Sequence, residues 1–436
     1  MNLELLKQNI LYLSGEKIDI ESDDFKKDSN IDYLKIRKKV EPWLTALFQS
    51  EHLSLLVGTG LSIGLIGNTN LMSRMSFGNN FNNITKTADN EAQKLGRGNA
   101  NFEDDLRVAL KFLDVYQIMN KEKTNDLKEK INTQLQQFLK KILNNEKQFT
   151  ELKSQDNKEN DANKLSLSKL QILKNFLLSF GSRTATRERL NIFTTNYDRF
   201  IEYGLDEAGL HTIDRFIGKL QPVMRFHRID LDYHYNPPGI RGEPRYVEGV
   251  VKLTKLHGSL DWKYYNDKII KIPLPFGAAE DEFKKYHPDI LNSVVIFPNS
   301  SKAYETSFFP YSELFRDFSS AVCRPNSVLV TYGYGFGDSH INRIILDMLT
   351  IPSTHLVIIS YDKASGRINN FINQCNPAQL TLLIGSELGD LEKLVTYYLP
   401  KQAIDRISER EKKVLEKRSI PEQEQDNQKN STSNEV

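Results

Sequence analysis

The sequence has few cysteines and no long apolar run. Its 436 residues include only two cysteines, Cys323 and Cys375. Two isolated cysteines provide no disulfide framework, and we therefore expect a reducing, cytoplasmic environment. They are also too few for a four-cysteine structural zinc site, and no His-Cys cluster replaces one. We expect neither a bound zinc ion nor a fold held together by disulfides.

Charge and hydropathy argue against two further classes of protein. The 58 basic and 57 acidic residues leave a net charge of +1, which gives no global electrostatic reason to bind nucleic acid or an anionic membrane. No apolar run reaches the length of a membrane span. The segment MNLELLKQNILYLSGEKID is too acidic and too poor in apolar residues to predict a signal peptide. The length predicts a main domain with an inserted or appended domain.

The sequence does contain four separated segments in which glycines or polar residues lie on or just after an apolar, strand-like run. They are LSLLVGTGLS at 53–62, LNIFTTNYD at 190–198, VVKLTKLHGSLDW at 250–262 and SVLVTYGYGFGDSHIN at 327–342. Ligands of open α/β sheets bind outside the carboxyl ends of the strands. The four segments therefore predict a nucleotide site on a doubly wound, mostly parallel α/β sheet.

The first of these loops is rich in glycine. Gly58, Gly60 and Gly64 follow the run LSLLV, and glycines let a backbone turn sharply and approach a diphosphate. A helix that opens at Leu61 would favour the negative charge. The glycine spacing departs from the dinucleotide fingerprint, which disfavours an ordinary dehydrogenase. A glycine turn that merely packs a helix on a strand remains an alternative.

Two polar residues follow the second run, NIFTT, whose β-branched and aromatic composition is typical of a strand. Asn196 and Asp198 would lie at the end of this strand and face the ligand crevice. Asn196 could instead cap a helix that begins at Tyr197. The two roles are compatible, and the pattern alone does not separate them.

His257 is the strongest candidate for a catalytic residue. It follows the alternating run VVKLTKL and precedes Gly258, which permits a tight turn. Histidine titrates near neutral pH, so it can take a proton from a ribose hydroxyl or from water. Of the seven other histidines, His340 is the rival because it lies near the glycine-rich strand end. Helix capping or a partner contact suits His340 equally well.

Together, and in this order, the segments resemble the sirtuin family, whose enzymes break the bond between nicotinamide and ribose in NAD. Residues 58–62 stand where sirtuins carry a GAGxS turn, and 195–198 resemble their Gln-Asn-Ile-Asp run. His257-Gly258 is similar to the pair that carries the catalytic histidine, and 333–335 to the late Gly-Thr-Ser strand end. The resemblance covers roughly residues 45–75 and 185–400.

The resemblance implies a role for each matched residue. Asn196 would orient the nicotinamide ribose or the attacking water, Asp198 would bond the carboxamide, and His257 would act as the base. The phosphates of NAD would be held by Gly58, Thr59, Gly60 and Ser62. The adenosine half would be held by Gly333, Gly335 and Asp362.

The small number of cysteines indicates which branch of the sirtuin family the chain resembles. Protein-deacylating sirtuins usually carry a zinc module held by two cysteine pairs, which helps build the groove for an acylated peptide. The chain instead resembles the zinc-less sirtuin-like proteins of bacterial anti-phage defence, in which NAD is hydrolysed to nicotinamide and ADP-ribose. Formation of some cyclic product is left open. A protein deacylase or ADP-ribosyltransferase, and a non-catalytic sensor of NAD or ADP-ribose, are the alternative functions.

Composition predicts five regions along the chain. They are a helical N-terminal extension at 1–44, a main domain at 45–400 with an inserted helical subdomain at 76–188, a charged helix at 401–418 and a disordered tail at 419–436. The resemblance implies that the domain at 45–400 is a sirtuin-like catalytic domain. We expect the insertion to cover the nucleotide site. The aromatic segment 210–250 predicts an irregular connection or a partner surface rather than a nucleic-acid surface.

Two further expectations concern the insertion and the partners. Asn101, Glu103 and Asp104 open a helical run, where acidic residues are favoured for structural reasons alone. A role for them beside the nicotinamide pocket is implied only by analogy with the defence relatives. The same resemblance implies a homo-oligomer or a separately encoded ATPase or DNA-translocase partner.

Overall fold

A computed structural model describes residues 9–401 apart from several internal segments. The segments outside the description are 28–29, 68–73, 79–80, 95–99, 101, 120, 157–166, 184–185, 226–231, 236–244, 289, 291–293 and 297–309. Asn101 and the predicted tail at 419–436 therefore lie outside the described residues, as does the predicted charged helix from residue 402 onward.

The described strands and helices are as follows, in chain order. The strands are β1 (Ile10–Leu13), β2 (Glu16–Ile18), β3 (Lys26–Lys27), β4 (Asn30–Ile31), β5 (His52–Val57), β6 (Leu190–Thr194), β7 (His211–Ile213), β8 (Phe216–Ile217), β9 (Val223–Met224), β10 (His234–Tyr235), β11 (Arg245–Tyr246), β12 (Val250–Lys255), β13 (Gly258–Tyr265), β14 (Lys268–Lys271), β15 (Val294–Ile296), β16 (Ser327–Tyr332), β17 (His355–Ser360) and β18 (Leu380–Ile384). The helices are α1 (Tyr33–Phe48), α2 (Gly60–Ile66), α3 (Asn82–Lys94), α4 (Phe102–Met119), α5 (Lys121–Asp156), α6 (Lys169–Gly181), α7 (Phe200–Glu207), α8 (Glu280–Tyr286), α9 (Tyr311–Val322), α10 (Ser339–Leu349), α11 (Arg367–Ile372) and α12 (Leu391–Lys393).

The main sheet has nine strands in the order β2-β1-β18-β17-β16-β5-β6-β12-β7. The strands from β18 to β7 are all parallel, while β1 and β2 are antiparallel to their neighbours. From β5 the chain builds the sheet outward in one direction through β6 and β12, and from β16 in the other through β17 and β18. The strand order therefore reverses between β5 and β16. The predicted doubly wound α/β fold is confirmed.

Both faces of the sheet are covered by helices. On β17, Val357 and Ile359 pack into one apolar core, while Leu356 and Ile358 pack into the other. The first core takes residues from α1, α6 and α7, and the second from α9, α10 and α11. A parallel sheet buried on both faces needs nearly continuous apolar strands, as the sequence of these strands shows.

The N-terminal segment differs from the predicted helical extension. Residues Ile10–Leu13 form a buried strand that pairs with β18, with Ile10 opposite Ile384. Ser14 and Gly15 have φ values of 51° and 84°, and two consecutive residues with positive φ are typical of a tight hairpin turn to β2. The prediction was wrong for this run because its strand conformation depends on pairing with β18, which lies far away in the sequence. Helix α1 also continues past the predicted boundary at residue 44.

Helices fill most of the described part of the predicted insertion. A third apolar core joins α3, α4 and α5 to Leu260 of β13 and to Tyr197, which follows β6. Helix α6 instead packs with the main sheet through residues such as Phe176 and Leu177. Phe149, near the end of α5, also belongs to the core on the main sheet, so the separate core of the insertion ends within α5. The role of the insertion as a cover for the nucleotide site stays a prediction.

The aromatic segment 210–250 is more regular than expected. Where it is described, it supplies the short strands β7 to β11, and β7 extends the main sheet by pairing with β12. Among the described helices, none has both the length and the apolar character needed to cross a membrane.

A buried ion pair connects the insertion to the chain after β6. Glu146 of α5 is fully buried and lies 2.6 Å from Nη2 of Arg199. The Glu146 carboxylate also accepts hydrogen bonds from the backbone N–H groups of Arg199 and Gly277. The guanidinium donates in turn to the carbonyls of Leu274 and Pro275. Both charges are thus satisfied, as a buried ion pair requires.

We predict that Glu146→Ala destabilises the protein by about 3–5 kcal/mol, because it leaves the buried Arg199 cation without its counter-charge. The matched control is Glu151→Ala on the same helix, where the side chain is 62% exposed and the expected change is within about 0.5 kcal/mol. Urea unfolding followed by circular dichroism measures both. Equal unfolding midpoints for the two variants would show that the ion pair does not hold the insertion in place.

Candidate functional site

The four sequence segments converge at one edge of the main sheet. The segments contain β5, β6, β12 and β16 together with the residues just after each strand. These four strands are consecutive neighbours in the order β16-β5-β6-β12. Because these strands are parallel, their carboxyl ends lie side by side. The reversal of strand order between β5 and β16 falls within this group, and such a switch point is where open α/β sheets bind ligands.

The glycines of two loops fit directly against each other. A Cβ atom on Gly58 would lie 2.5 Å from the carbonyl oxygen of Gly333, and one on Gly60 would overlap the Gly333 Cα. Gly333 has a φ of +58°, and its own Cβ would lie 2.5 Å from the Gly60 Cα. The Gly60 N–H donates to the Gly333 carbonyl at 3.1 Å. These glycines are therefore needed for close approach between two backbone segments.

This contact bears on the predicted phosphate loop. Helix α2 begins at Gly60, close to the predicted start at Leu61. The Gly60 N–H is already bonded to Gly333, and the Ser62 hydroxyl donates to Asp198 Oδ2 at 2.6 Å. The Gly58 N–H also donates to the Tyr332 carbonyl, at 3.0 Å. Three of the four residues assigned to phosphate thus have protein partners. Phosphate binding by Gly58, Thr59, Gly60 and Ser62 stays a prediction.

Asn196 lies at the centre of a buried hydrogen-bond network. Its side-chain amide donates to the Gly58 carbonyl at 3.0 Å and to the Ser62 hydroxyl at 3.2 Å. Its Oδ1 atom is buried and has no hydrogen-bond partner among the described residues. A buried acceptor without a partner costs free energy unless a ligand or water supplies a donor. A ribose hydroxyl or the carboxamide of NAD would fit this atom.

The alternative role of Asn196 as a helix cap is wrong. Helix α7 begins at Phe200, and its N-cap residue is Arg199. Asn196 lies three residues before that cap, and its side chain turns to the loop after β5 instead. Its position is therefore explained by the site and not by the helix.

Asp198 is a buried carboxylate beside this network. Burial raises the pKa of Asp198 from 3.8 to about 6, although the Lys255 ammonium and the hydrogen bond from Ser62 lower the pKa in part. The Lys255 ammonium also donates to the Asp198 backbone carbonyl and lies 2.9 Å from Glu202. The charge on Asp198 thus changes close to neutral pH.

His257 lies at the end of β12 and is paired with an acidic residue. Its Nε2 lies 3.0 Å from Oδ2 of Asp338, and both side chains are less than a tenth exposed. Gly258 has a φ of +89°, as expected for the tight turn after His257. The ring of Tyr197 lies near the imidazole, with centroids 6.2 Å apart. The structure thus brings His257, Asn196 and Asp198 to the same edge of the sheet.

Asp338 was not predicted as a site residue, although it lies in the glycine-rich segment 327–342. The available signal was an acidic residue shortly after the glycine-rich end of β16, in GYGFGD. The rival histidine, His340, donates its backbone N–H to Asp338, and its ring packs against Phe315. His340 is therefore part of the helix start that holds Asp338.

An acidic and phenolic cluster borders His257. The hydroxyl of Tyr197 donates to Glu103 of α4 at 3.3 Å. Burial raises the pKa of Tyr197 well above 10, and nearby Glu103, Tyr311 and Asp338 raise this pKa further. Glu103 and Asp104 lie in the first turn of α4, as expected, and both are buried. Through Glu103 the insertion reaches the residue next to Asn196.

The residues assigned to the adenosine half lie at the ends of β16 and β17. Arg367 donates to the Gly335 carbonyl at 2.7 Å, and the Asp362 carboxylate accepts a hydrogen bond from the Ala364 N–H at 2.7 Å. Next to them, the turn after Asp362 and the start of α11 line a cavity that also touches Ile384. Adenosine binding by Gly333, Gly335 and Asp362 stays a prediction.

Metal-binding geometry is not found in the described part of the chain. No group of three or more His, Cys, Asp or Glu side chains there could hold a metal ion. Cys323 and Cys375 are free thiols.

We predict that Gly333→Ala destabilises the protein by at least about 2 kcal/mol, since the new Cβ overlaps the Gly60 backbone and φ is positive. Gly335→Ala is the matched control in the same loop. Its Cβ would meet only the end of the Arg367 side chain, at 3.2 Å, and we expect a loss below about 1 kcal/mol. Thermal and urea unfolding would measure both changes. A harmless Gly333→Ala would contradict the backbone contact.

We predict that Asp198→Asn makes the protein more stable than the wild type above pH 6, by up to about 3 kcal/mol. The native pKa of Asp198, about 6, lies above its ordinary value of 3.8. The native state therefore binds more protons in this window, and the Asp198 contribution to stability is lost as pH rises through it. The difference in unfolding free energy between the two proteins should grow from pH 5 to pH 7. A constant difference would show that Asp198 titrates normally.

Part of the chain matches a known protein family. Residues 190–377 match a family described as SIR2-like domain, and no curated protein matches the chain significantly. The matched region includes Asn196, Asp198, His257 and Asp338. SIR2-like proteins are NAD-dependent enzymes, which fits the unpartnered acceptor of Asn196 at the switch point. The match over residues 190–377 supports a Sir2-type family, and the α/β fold with its mostly parallel sheet is consistent with it.

Proposed function

We propose that this protein is an NAD hydrolase, which cleaves the nicotinamide–ribose bond to give nicotinamide and ADP-ribose. The observation that carries the proposal is the meeting of two groups at the switch point. One is His257, which is held by Asp338, and the other is Asn196, whose buried Oδ1 lacks a partner among the described residues. A base and an unfilled acceptor at this edge are what hydrolysis of a bound nucleotide requires.

The reaction gives each residue a task. The glycosidic bond breaks and nicotinamide leaves with the bonding electrons, while a water oxygen bonds the ribose carbon. His257 accepts the proton that the water releases, directly or through a ribose hydroxyl. Asn196 orients the ribose or the water through its Oδ1 atom. Asp198 accepts a hydrogen bond from the carboxamide and so sets the orientation of the leaving group.

The composition supports hydrolysis over protein deacylation. The two cysteines cannot form the four-cysteine zinc module that helps build an acyl-peptide groove in deacylating sirtuins. Water is then the available acceptor for the ribosyl group. We infer that the protein depletes cellular NAD as the effector of an anti-phage defence system. Such an effector must stay silent until triggered, and we propose that assembly with further copies or with a separately encoded ATPase partner provides the trigger.

Two other functions lead to different products. A deacylase or ADP-ribosyltransferase would transfer the ribosyl group to an acceptor, so an acetyl-lysine peptide would yield acetylated ADP-ribose. A non-catalytic sensor would bind NAD or ADP-ribose and release nothing. Chromatography of nicotinamide, ADP-ribose and its acetylated form after incubation with NAD and peptide distinguishes all three.

We predict that His257→Ala and Asn196→Ala each reduce NAD turnover at least about 100-fold, because the first removes the general base and the second removes a group that orients the reacting atoms. The matched controls are His211→Ala and Asn191→Ala. His211 is an exposed histidine on the edge strand β7, and Asn191 lies on β6, the strand that precedes Asn196. Both controls should keep wild-type turnover. Unfolding midpoints of all four variants show whether a loss reflects the fold. Undiminished NAD consumption by folded His257→Ala would refute the mechanism.

A further inference from the structure

We propose that Asp338 is a positioning residue that holds the proton of neutral His257 on Nε2, which makes Nδ1 the nitrogen that accepts a proton. This inference deepens the proposed function and rests on it. It assigns the direction of proton transfer at His257 from a contact between two segments 81 residues apart in the sequence.

The two oxygens of the Asp338 carboxylate have different partners. Oδ1 accepts the backbone N–H of His340 at 3.1 Å, which makes Asp338 the N-cap of α10. Oδ2 lies 3.0 Å from Nε2 of His257. The helix cap fixes the side chain so that its second oxygen faces the imidazole. The N-cap position thus holds the Asp338 carboxylate beside the proposed base, His257.

The loop that carries Asp338 is itself tied to α10. The Tyr334 hydroxyl lies 3.0 Å from Oδ1 of Asn342 and 3.3 Å from the Asp338 carbonyl. The Asn342 side chain donates to the Phe336 carbonyl at 3.0 Å. Phe336 has a φ of +50°, an uncommon conformation for a residue other than glycine. These contacts hold the loop in a shape that directs Asp338 toward His257.

The chemistry of the two groups fixes the proton. An ionised carboxylate only accepts hydrogen bonds, so the imidazole nitrogen that faces it must carry a hydrogen. A neutral imidazole carries one N–H, and the other nitrogen, Nδ1, is then the acceptor. When Nδ1 takes a proton, the negative charge of Asp338 stabilises the resulting cation. The pair would favour both the right tautomer and the charged product of proton transfer.

Substitution by asparagine tests this assignment with little change in shape. In Asp338→Asn, the amide oxygen can still cap α10, and the amide NH₂ then faces Nε2. A donor at this position requires Nε2 to be the acceptor, which moves the proton to Nδ1. Asp338→Ser is the structural control, because serine is a good N-cap but is too short to bridge to the imidazole. Both variants should therefore fold, and unfolding midpoints would verify this.

The experiment is ¹⁵N NMR of protein labelled at histidine, at about pH 8, where an ordinary histidine is neutral. The resonance of His257 is identified by its loss in His257→Ala. We expect the Nε2–H tautomer in the wild type, the Nδ1–H tautomer in Asp338→Asn, and a mixture in Asp338→Ser. Turnover of NAD by Asp338→Asn should fall at least about 100-fold, while its Kd for NAD, from calorimetry, stays within about threefold.

Two results would overturn the inference. One is a His257 tautomer that is the same in the wild type and Asp338→Asn. The other is a changed tautomer with turnover within about threefold of the wild type. A failure of the proposed function is recognised separately, because the wild type would then release no nicotinamide even as an oligomer or with the proposed ATPase partner added, whatever its tautomer. In that case the tautomer comparison still decides whether Asp338 places the proton on Nε2.

Discussion

The contact between the backbones of Gly60 and Gly333 is the constraint on which the site depends. It joins the ends of β5 and β16, the two strands between which the strand order reverses. Asn196 is bonded to the Gly58 carbonyl in one of these loops, and Asp338 lies at the end of the other. Any side chain on these glycines would separate the loops. The distance between the loop that contacts Asn196 and the loop that carries Asp338 is thus set by a backbone contact, in which none of the proposed catalytic side chains takes part.

The helical insertion reaches the site from outside the sheet. Tyr197 contacts Glu103 of α4, and Arg199 is paired with Glu146 of α5. Tyr197 and Arg199 flank Asp198 in the sequence, so the insertion holds the loop after β6 on both sides of Asp198. Ion pairs as deeply buried as Arg199 and Glu146 tolerate little displacement, because separation exposes each charge to an apolar surrounding. A rearrangement of α4 and α5 would therefore move Asp198 with them, which would give the proposed assembly partner a physical route to the site.

Much of this arrangement was predictable because it depends on local patterns. Apolar runs that end in glycine or polar residues identified β5, β6, β12 and β16, and the rules for parallel sheets placed their ends together. The pairing of His257 with Asp338 was not predictable, since a helix cap has the same sequence signal whether or not its second oxygen has a distant partner. The packing of Gly333 against the glycines of 58–60 was not predictable either, because a single sequence does not reveal a contact between two distant loops. The strand Ile10–Leu13 was missed because its partner β18 lies more than 350 residues away.

The two aspartates of the site are placed in opposite electrostatic environments. Asp198 is buried, and the cost of removing its charge from water raises its pKa to about 6 despite the nearby Lys255. Asp338 accepts the backbone N–H of His340 and faces His257 at the positive end of a helix, where a negative charge is favoured. A carboxyl group that changes charge near neutrality suits contact with an uncharged amide such as a carboxamide. A carboxylate held at the start of a helix is suited to stabilise the cation that would form on His257 in the proposed mechanism. Two like residues can serve two steps of one reaction when their surroundings differ in this way.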